Sequence, residues 1–350
     1  MTDVVAEVVE DGIEPTWDFT IDNDQHVFTA NGILTHNTPE EAFQSSENRV
    51  FSTILVSKVL ESTRDSDPVA EEGLFLPGET RVRRGRTGDI EVPVSATWVP
   101  REATGFGVGH DFWRIWEHPY SKGGPLPPLN PDFNPEDPKA AAQRDGQYVV
   151  AVDSAGDAET SSGEGDFDAI QVIDHRSGRQ VAEYRTRCDP DELTRQAHLI
   201  AVYYNDAWLA VEKTGNYGVP ILLALWLDYG YANLYRRQRA TDDKRQKESD
   251  RLGWDTQVGT KRVLIALAKE LLRTEATGIR SLRLAREMGS YIFLNERGSM
   301  GARKGNFDDL LVAWMIAHQV GREKPLMPDK RTGPAPTSWA RPIRDTKTGW

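Results

Sequence analysis

Three short apolar runs follow one another closely near the middle of the chain: QYVVAVD (147–153), FDAIQVID (167–174) and QVAEYRTR (180–187). Each has the length and the β-branched or aromatic content of a strand. The first is apolar on both of its faces, as a strand in the middle of a sheet must be. The segments between them, SAGDAETSSGEG and HRSGR, are Gly-, Ser- and charge-rich with no helical period. Without crossover helices, the three runs are predicted to form an antiparallel meander. A Pro- and Gly-dense stretch, GGPLPPLNPDFNPEDPKAAAQRDG (123–146), stands just before the first run and marks a linker.

Beyond the meander, a helix is predicted from about residue 190 to 205, with acids in its first turn that suit the helix dipole. A further buried strand, AWLAVE (207–212), follows it. VPILLALWLDYG (219–230) reads as a largely buried helix, ANLYRRQ (232–238) as a strand and GSMGARKGN (298–306) as a flexible loop. TKRVLIALAKELLRT (260–274) carries Leu264, Leu267, Leu271 and Leu272 on or near one helical face. The last predicted helix begins near GNFDDLLVAWMIAHQV, with Asn306 as its cap and Asp308 and Asp309 in its first turn.

Three strands, helix, strand, helix, strand and closing helices is the element order of a ribonuclease H-like α/β fold. In that fold, carboxylates from the first strand, a later central strand and a terminal helix converge. Here Asp153 ends the first strand, Glu212 ends the fourth, and Asp308 and Asp309 open the last helix. Carboxylates sharing one cleft repel one another unless divalent cations neutralise them. Two Mg2+ or Mn2+ ions roughly 4 Å apart would activate water for phosphodiester hydrolysis. Each acid also has a plainer role: a turn residue at Asp153, a surface ion pair between Glu212 and Lys213, dipole-stabilising acids at Asp308 and Asp309, and a solvated loop at Asp166 and Asp168.

The N-terminal stretch has a different character. In HVFTANGILTHNTPEEAF (26–43), alternating strand-like residues end on His36-Asn37 and give way at Thr38-Pro39 to a turn and helix start. An asparagine side chain can attack its own following peptide bond, assisted by a neighbouring imidazole, and a hydroxyl after it can accept an acyl group. WDFTIDNDQHVFTANGILTHN resembles the last block of the intein family, with Asp18, His26, His36, Asn37 and Thr38 at the matching positions. The resemblance implies the C-terminal half of a split intein (1–37). Its implied partner is a separate polypeptide that carries the N-terminal intein half.

TPEEAFQSSENRVF resembles the stretch that closes the ATPase domain of bacteriophage terminase large subunits. FWRIWEHP, YVVAVDSAGD with GDFDAI, AVEKTGNYGVP, GTKRVLIALAKELL and GNFDDLLVAWMIA follow in the order of the terminase nuclease domain. The resemblance implies the end of an ATPase domain at 38–122, the linker at 123–146 and a nuclease domain at 147–321. It also implies metal ligation by Asp153, Glu212 and one of Asp308 and Asp309, supported by Asp166. The implied task is endonucleolytic cutting of concatemeric double-stranded DNA in the host bacterial cytoplasm, with the portal protein and the small terminase subunit as partners. No G-x-x-x-x-G-K-[ST] phosphate loop occurs in the sequence, so the ATPase is expected on the partner polypeptide, joined by trans-splicing at Asn37/Thr38.

The basic run YRRQRATDDKRQK supplies Arg236, Arg237, Arg239, Lys244, Arg245 and Lys247 as candidate contacts to the DNA backbone. TRVRRGRTG (80–88) is a weaker candidate. The net charge of −12 and pI near 5.2 argue against a protein that coats nucleic acid, but not against a nuclease with local basic patches. The single Cys188 excludes an internal disulfide and any cysteine-based zinc site. No apolar run is long enough to span a bilayer, the acidic N-terminus is unlike a signal peptide, and the Pro-rich tail from 322 to 350 reads as disordered. Two other functions fit the same residues: an idle DNA-guiding scaffold bearing a decayed intein scar, and a ribonuclease H-like junction resolvase or RNA-cleaving enzyme.

Overall fold

The computed structural model describes residues 27–30, 33–36, 49–65, 71–106, 111–119, 148–154, 166–213, 217–237, 252–295 and 298–324, the first two stretches for the backbone alone. The chain divides into two compact units, Met1–Glu47 and Asn48–Trp350. In the first, strands β1 (Val27–Ala30) and β2 (Ile33–His36) pair antiparallel, with Val27 opposite His36. Asp18, His26, Asn37 and Thr38 lie outside the described residues, as do the Pro/Gly-rich linker and the C-terminal tail.

The second unit opens with α1 (Thr53–Asp65), β3 (Glu71–Pro77), β4 (Thr80–Arg84), β5 (Asp89–Pro93), β6 (Ala96–Pro100), the single turn α2 (Arg101–Thr104) and β7 (Trp113–Ile115). The predicted meander follows as β8 (Tyr148–Asp153), β9 (Asp168–Asp174) and β10 (Gln180–Thr186), and then α3 (Pro190–Tyr203) and β11 (Trp208–Val211). Next come α4 (Gly218–Leu223), α5 (Val258–Arg273), α6 (Leu282–Ser290), β12 (Tyr291–Phe293), β13 (Met300–Ala302) and α7 (Asp309–Glu323). Among the described residues no helix is long and apolar enough to cross a membrane.

The fold is mixed α/β around a mostly antiparallel sheet of seven strands in the order β11-β8-β9-β10-β7-β3-β6. β8, β9 and β10 are successive antiparallel neighbours, and β11 lies parallel to β8. The fourth strand thus lies beside the first, at one edge of the sheet. Strands from residues 71–115 extend this sheet: β7 pairs with β10, β3 with β7, and β6 with β3.

The two-residue period of β8 explains its continuous apolar run. Tyr148, Val150 and Val152 join a core with α3 and α4, whereas Val149 and Ala151 join a core with α1, α5, α6 and α7. Both faces of the strand are dry, so neither tolerates a polar residue until the strand ends at Asp153.

Several local expectations need correction. The run 219–230 continues α4 and then forms one wide π turn, Ala224–Asp228, in which Leu225 is the buried residue. ANLYRRQ makes isolated bridges at Leu234 and Arg236 in place of a regular strand. The cap position of α7 is Asp308, two residues later than Asn306. The glycine-rich loop contains β13, which pairs with β12 in a hairpin. Arg86 of the TRVRRGRTG run is occupied structurally, donating from Nε and Nη2 to Asp228 Oδ2 at 2.8 and 2.6 Å.

One buried ion pair ties the added strands to the rest. Glu183 of β10 is wholly buried and accepts from Arg283 Nη2 of α6 at 2.8 Å and from Arg114 Nη1 of β7 at 3.2 Å. Burial alone would raise the pKa of its carboxyl, but the two guanidinium groups overcome that and hold it below the usual carboxylate range. Next to it, Gln180 Oε1 accepts from the backbone amides of Arg280 and Ser281, both at 2.9 Å, which fixes the start of α6. Glu183→Ala removes the shared partner of two partly exposed arginines, and a loss of about 1–3 kcal/mol is expected in a urea titration. A loss under about 1 kcal/mol would show that the pair contributes little.

Candidate functional site

The site begins with strand register. β11 and β8 run parallel with Val211 opposite Val152, and the Glu212 amide donates to the Val152 carbonyl at 2.8 Å. One residue further on, Glu212 and Asp153 therefore sit side by side. Alternation decides the face. Val149, Ala151 and Ala210 point toward α7, so Asp153 and Glu212, each an even number of residues along, point there too.

The backbone around Glu212 has little freedom. A Cβ on Gly218 would lie 1.7 Å from the Glu212 carbonyl oxygen, and one on Gly253, at φ +73°, would lie 2.5 Å from the Val211 oxygen. Glycine at both positions lets α4 and the 252–254 segment close on the strand end from two sides.

α7 brings the other carboxylates. It packs on β8 and β9, and its first residue, Asp309, is buried. Asp309 Oδ2 accepts from the Phe167 amide at 3.3 Å, which joins the helix start to the residue after Asp166. Burial pushes the Asp153 carboxyl well above the usual carboxylate range, with Glu212 adding through its charge and a shared hydrogen bond, and Asp309 and Asp308 through charge. Asp308 is raised by burial and by Asp166 and Glu212, against the opposing pull of Lys261. Asp309 rises to about 7 through burial and the charges of Asp308 and Asp166.

Three further residues belong to this cluster. Glu287 of α6 is buried; its Oε2 accepts from the Leu311 amide at 3.0 Å, and its Oε1 lies 3.5 Å from Arg185. Burial and Asp309 push its carboxyl well above the usual range. Tyr291 is fully buried, and its hydroxyl has no hydrogen-bond partner among the described residues. Lys261 lies 5.6 Å from the Tyr291 ring centroid. Sequence reading missed all three. The signal for Glu287 was an acid three residues from Leu284 and next to Met288, inside an otherwise apolar helix face.

The donor set, carboxylate oxygen throughout, fits a hard divalent cation such as Mg2+. The charge balance also fits, because Lys261 and Arg185 are the cations that act on these acids in the shifts above. No ready-made cage exists: among the described residues, no group of three or more His, Cys, Asp or Glu is assembled as a metal site. The acids interact through charge, and Asp153 and Glu212 also share a hydrogen bond.

Of the expected DNA contacts, Arg236 stacks 6.0 Å from the Trp226 ring and Arg237 5.6 Å from Trp254, the residue bridged to Glu212. Arg239, Lys244, Arg245 and Lys247 lie outside the described residues.

No family model matches the sequence, and no curated protein does. Solved structures similar to this chain include the large terminase nuclease from thermophilic phage G20c, at 15% identity and a TM-score of 0.36, over 49% of this chain and 81% of that one. The same nuclease with bound magnesium is similar at 15% identity and a TM-score of 0.35, over 49% and 81%. The Thermus phage P74-26 large terminase nuclease domain follows at 13% identity and 0.33, over 49% and 78%. TM-scores this low establish no kinship, and the chemistry of this chain rests on its own residues.

Stability offers a direct check of the metal assignment. Added to chelator-treated protein, Mg2+ or Mn2+ is expected to raise the melting temperature, with a gain of about 2.7 kcal/mol at a hundredfold excess over Kd. Asp153→Asn should lose most of that gain while melting no lower than wild type in the chelator. A wild-type melting curve indifferent to both ions would remove the assignment.

Proposed function

We propose that the second unit is a divalent-metal-dependent nuclease that hydrolyses phosphodiester bonds of double-stranded DNA, as in the cutting of concatemers by terminase large subunits. The observation that carries this is the delivery of Asp153, Glu212 and the Asp308-Asp309 pair to one place by two adjacent parallel strands and a helix start. Asp153, Glu212 and one of the two helix aspartates would hold the metal, with Asp166 in support. When bound, two Mg2+ or Mn2+ ions supply neutralisation of the scissile phosphate and a more acidic water. The chain's own contributions are positional. Gly218 and Gly253 fix the Glu212 backbone, Phe167 orients Asp309, and Lys261 offsets charge beside Asp308.

The test is cleavage of linear and supercoiled duplex DNA with Mg2+ or Mn2+. Asp153→Ala should lower the rate at least about a thousandfold, roughly 4 kcal/mol of barrier. Asp308→Ala beside Asp309→Ala would identify the ligand of that pair. Preference for four-way junctions or RNA–DNA hybrids would favour a resolvase or an RNA-cleaving enzyme. DNA binding without any cleavage, unchanged by Asp153→Ala, would favour an idle scaffold.

A second proposal concerns the first unit. We infer that it is the C-terminal part of a split intein that joins Thr38 to an ATPase half made separately. Its support is a β-hairpin ending on His36, in a unit that clusters apart from the remaining chain. Co-expression with a candidate N-terminal half, followed by intact mass spectrometry, should give a ligated product whose C-terminal portion begins at Thr38. The Asn37→Ala variant should give none, and unmodified precursors from the wild-type pair would count against splicing.

A further inference from the structure

The nuclease proposal leaves open what grips the nucleic acid strand beside the carboxylates. On β10, Glu183 and Arg185 share one face by strand alternation, and Arg187 follows in the same phase just past the strand end. Glu183 is consumed by the buried ion pairs with Arg114 and Arg283, and Arg185 is half-buried beside Glu287. Arg187 is exposed.

Both arginines stack on one ring. The Arg185 guanidinium carbon lies 3.8 Å from the Phe167 centroid and that of Arg187 lies 3.7 Å from it. Two guanidinium groups cannot share one face of a phenyl ring at that distance, so Phe167 is sandwiched between them. Phe307 closes the side of the stack, with its ring edge-on to Phe167 at 4.8 Å and the Arg185 guanidinium 4.9 Å from its centroid. The stack is moored to the site, because the Phe167 amide is the group that donates to Asp309 at 3.3 Å.

We propose that Arg187, stacked on Phe167, is a seat for a backbone phosphate of the DNA strand entering the carboxylate site. This rests on the nuclease proposal and names a substrate contact for the same site. A guanidinium presents paired, coplanar donors that match phosphate oxygens. Stacking fixes its plane before DNA arrives, so less side-chain freedom is lost on binding. Arg185, on the buried side of the ring, is the anchor, and Arg187, on the solvent side, is the contact. The arrangement supplies a positive rim to a site otherwise dominated by acids.

The test measures binding of the full chain to a short DNA duplex, with Ca2+ in place of Mg2+ so that binding is read without turnover. The salt concentration is varied between 50 and 200 mM. Loss of one phosphate contact lowers the slope of log K against log salt by about 0.9. Arg187→Ala should show that change and a roughly five- to tenfold weaker affinity at 100 mM salt, with an unchanged melting temperature. Arg187→Lys should keep the slope but recover only part of the affinity, since it keeps the charge and loses the plane. Wild-type slope and affinity in Arg187→Ala, from a protein that still cleaves DNA, would overturn the phosphate seat and leave the nuclease proposal standing. A slope change in Arg237→Ala alone would assign the contact to the other basic run. A wild-type chain that neither binds nor cuts DNA would sink both proposals.

Discussion

The arrangement depends on a pairing that backbone hydrogen bonds impose. β8 and β11 run parallel and in register, which sets Asp153 and Glu212 shoulder to shoulder whatever their charges prefer. Neither backbone position can shift without breaking the β8–β11 ladder at one edge of the sheet. Much of the surrounding structure answers that constraint. Gly218 and Gly253 admit close backbone approach at Glu212, α7 arrives with more acids, and Lys261 and Arg185 supply limited compensation.

Two buried carboxylates show how environment separates structure from chemistry. Glu183 and Asp153 lie on neighbouring parts of one sheet, and burial alone would disfavour charge on both. Glu183 faces Arg283 and Arg114 and is held ionised, so it joins elements together. Asp153 faces other acids and is pushed toward its protonated form, so its charge has no partner among the acids that surround it. A designer seeking stability alone would have given Asp153 an arginine as well.

The meander, the helix after it and the buried fourth strand were legible in the sequence because each run has a strong period and clear turn residues, whereas the parallel pairing of that strand with β8 was not read from it. The acids at strand ends and at the start of α7 were legible for the same reason, since their positions follow from where the apolar runs stop. Glu287, Tyr291 and Lys261 were not, because they reach the cluster through tertiary packing of α5, α6 and β12, and no local pattern reports that contact. The isolated bridges at Leu234 and Arg236 were misjudged as a strand because short apolar runs do not reveal whether a neighbour offers a full ladder. The sheet extension through β7, β3 and β6 was hidden by the Pro- and Gly-rich stretch, which looks like a boundary although pairing crosses it in space.

That extension bears on how the protein can be divided. A cut within residues 123–146, where a reader of the sequence would place a domain border, removes the strand that covers β10 and leaves its ladder open along one side. It also removes Phe75 and Trp113, both wholly buried, from the core beneath α3. A fragment trimmed there would carry a sticky flank that the sheet of the longer chain covers, and poor solubility of that fragment would say nothing about the fitness of the fold.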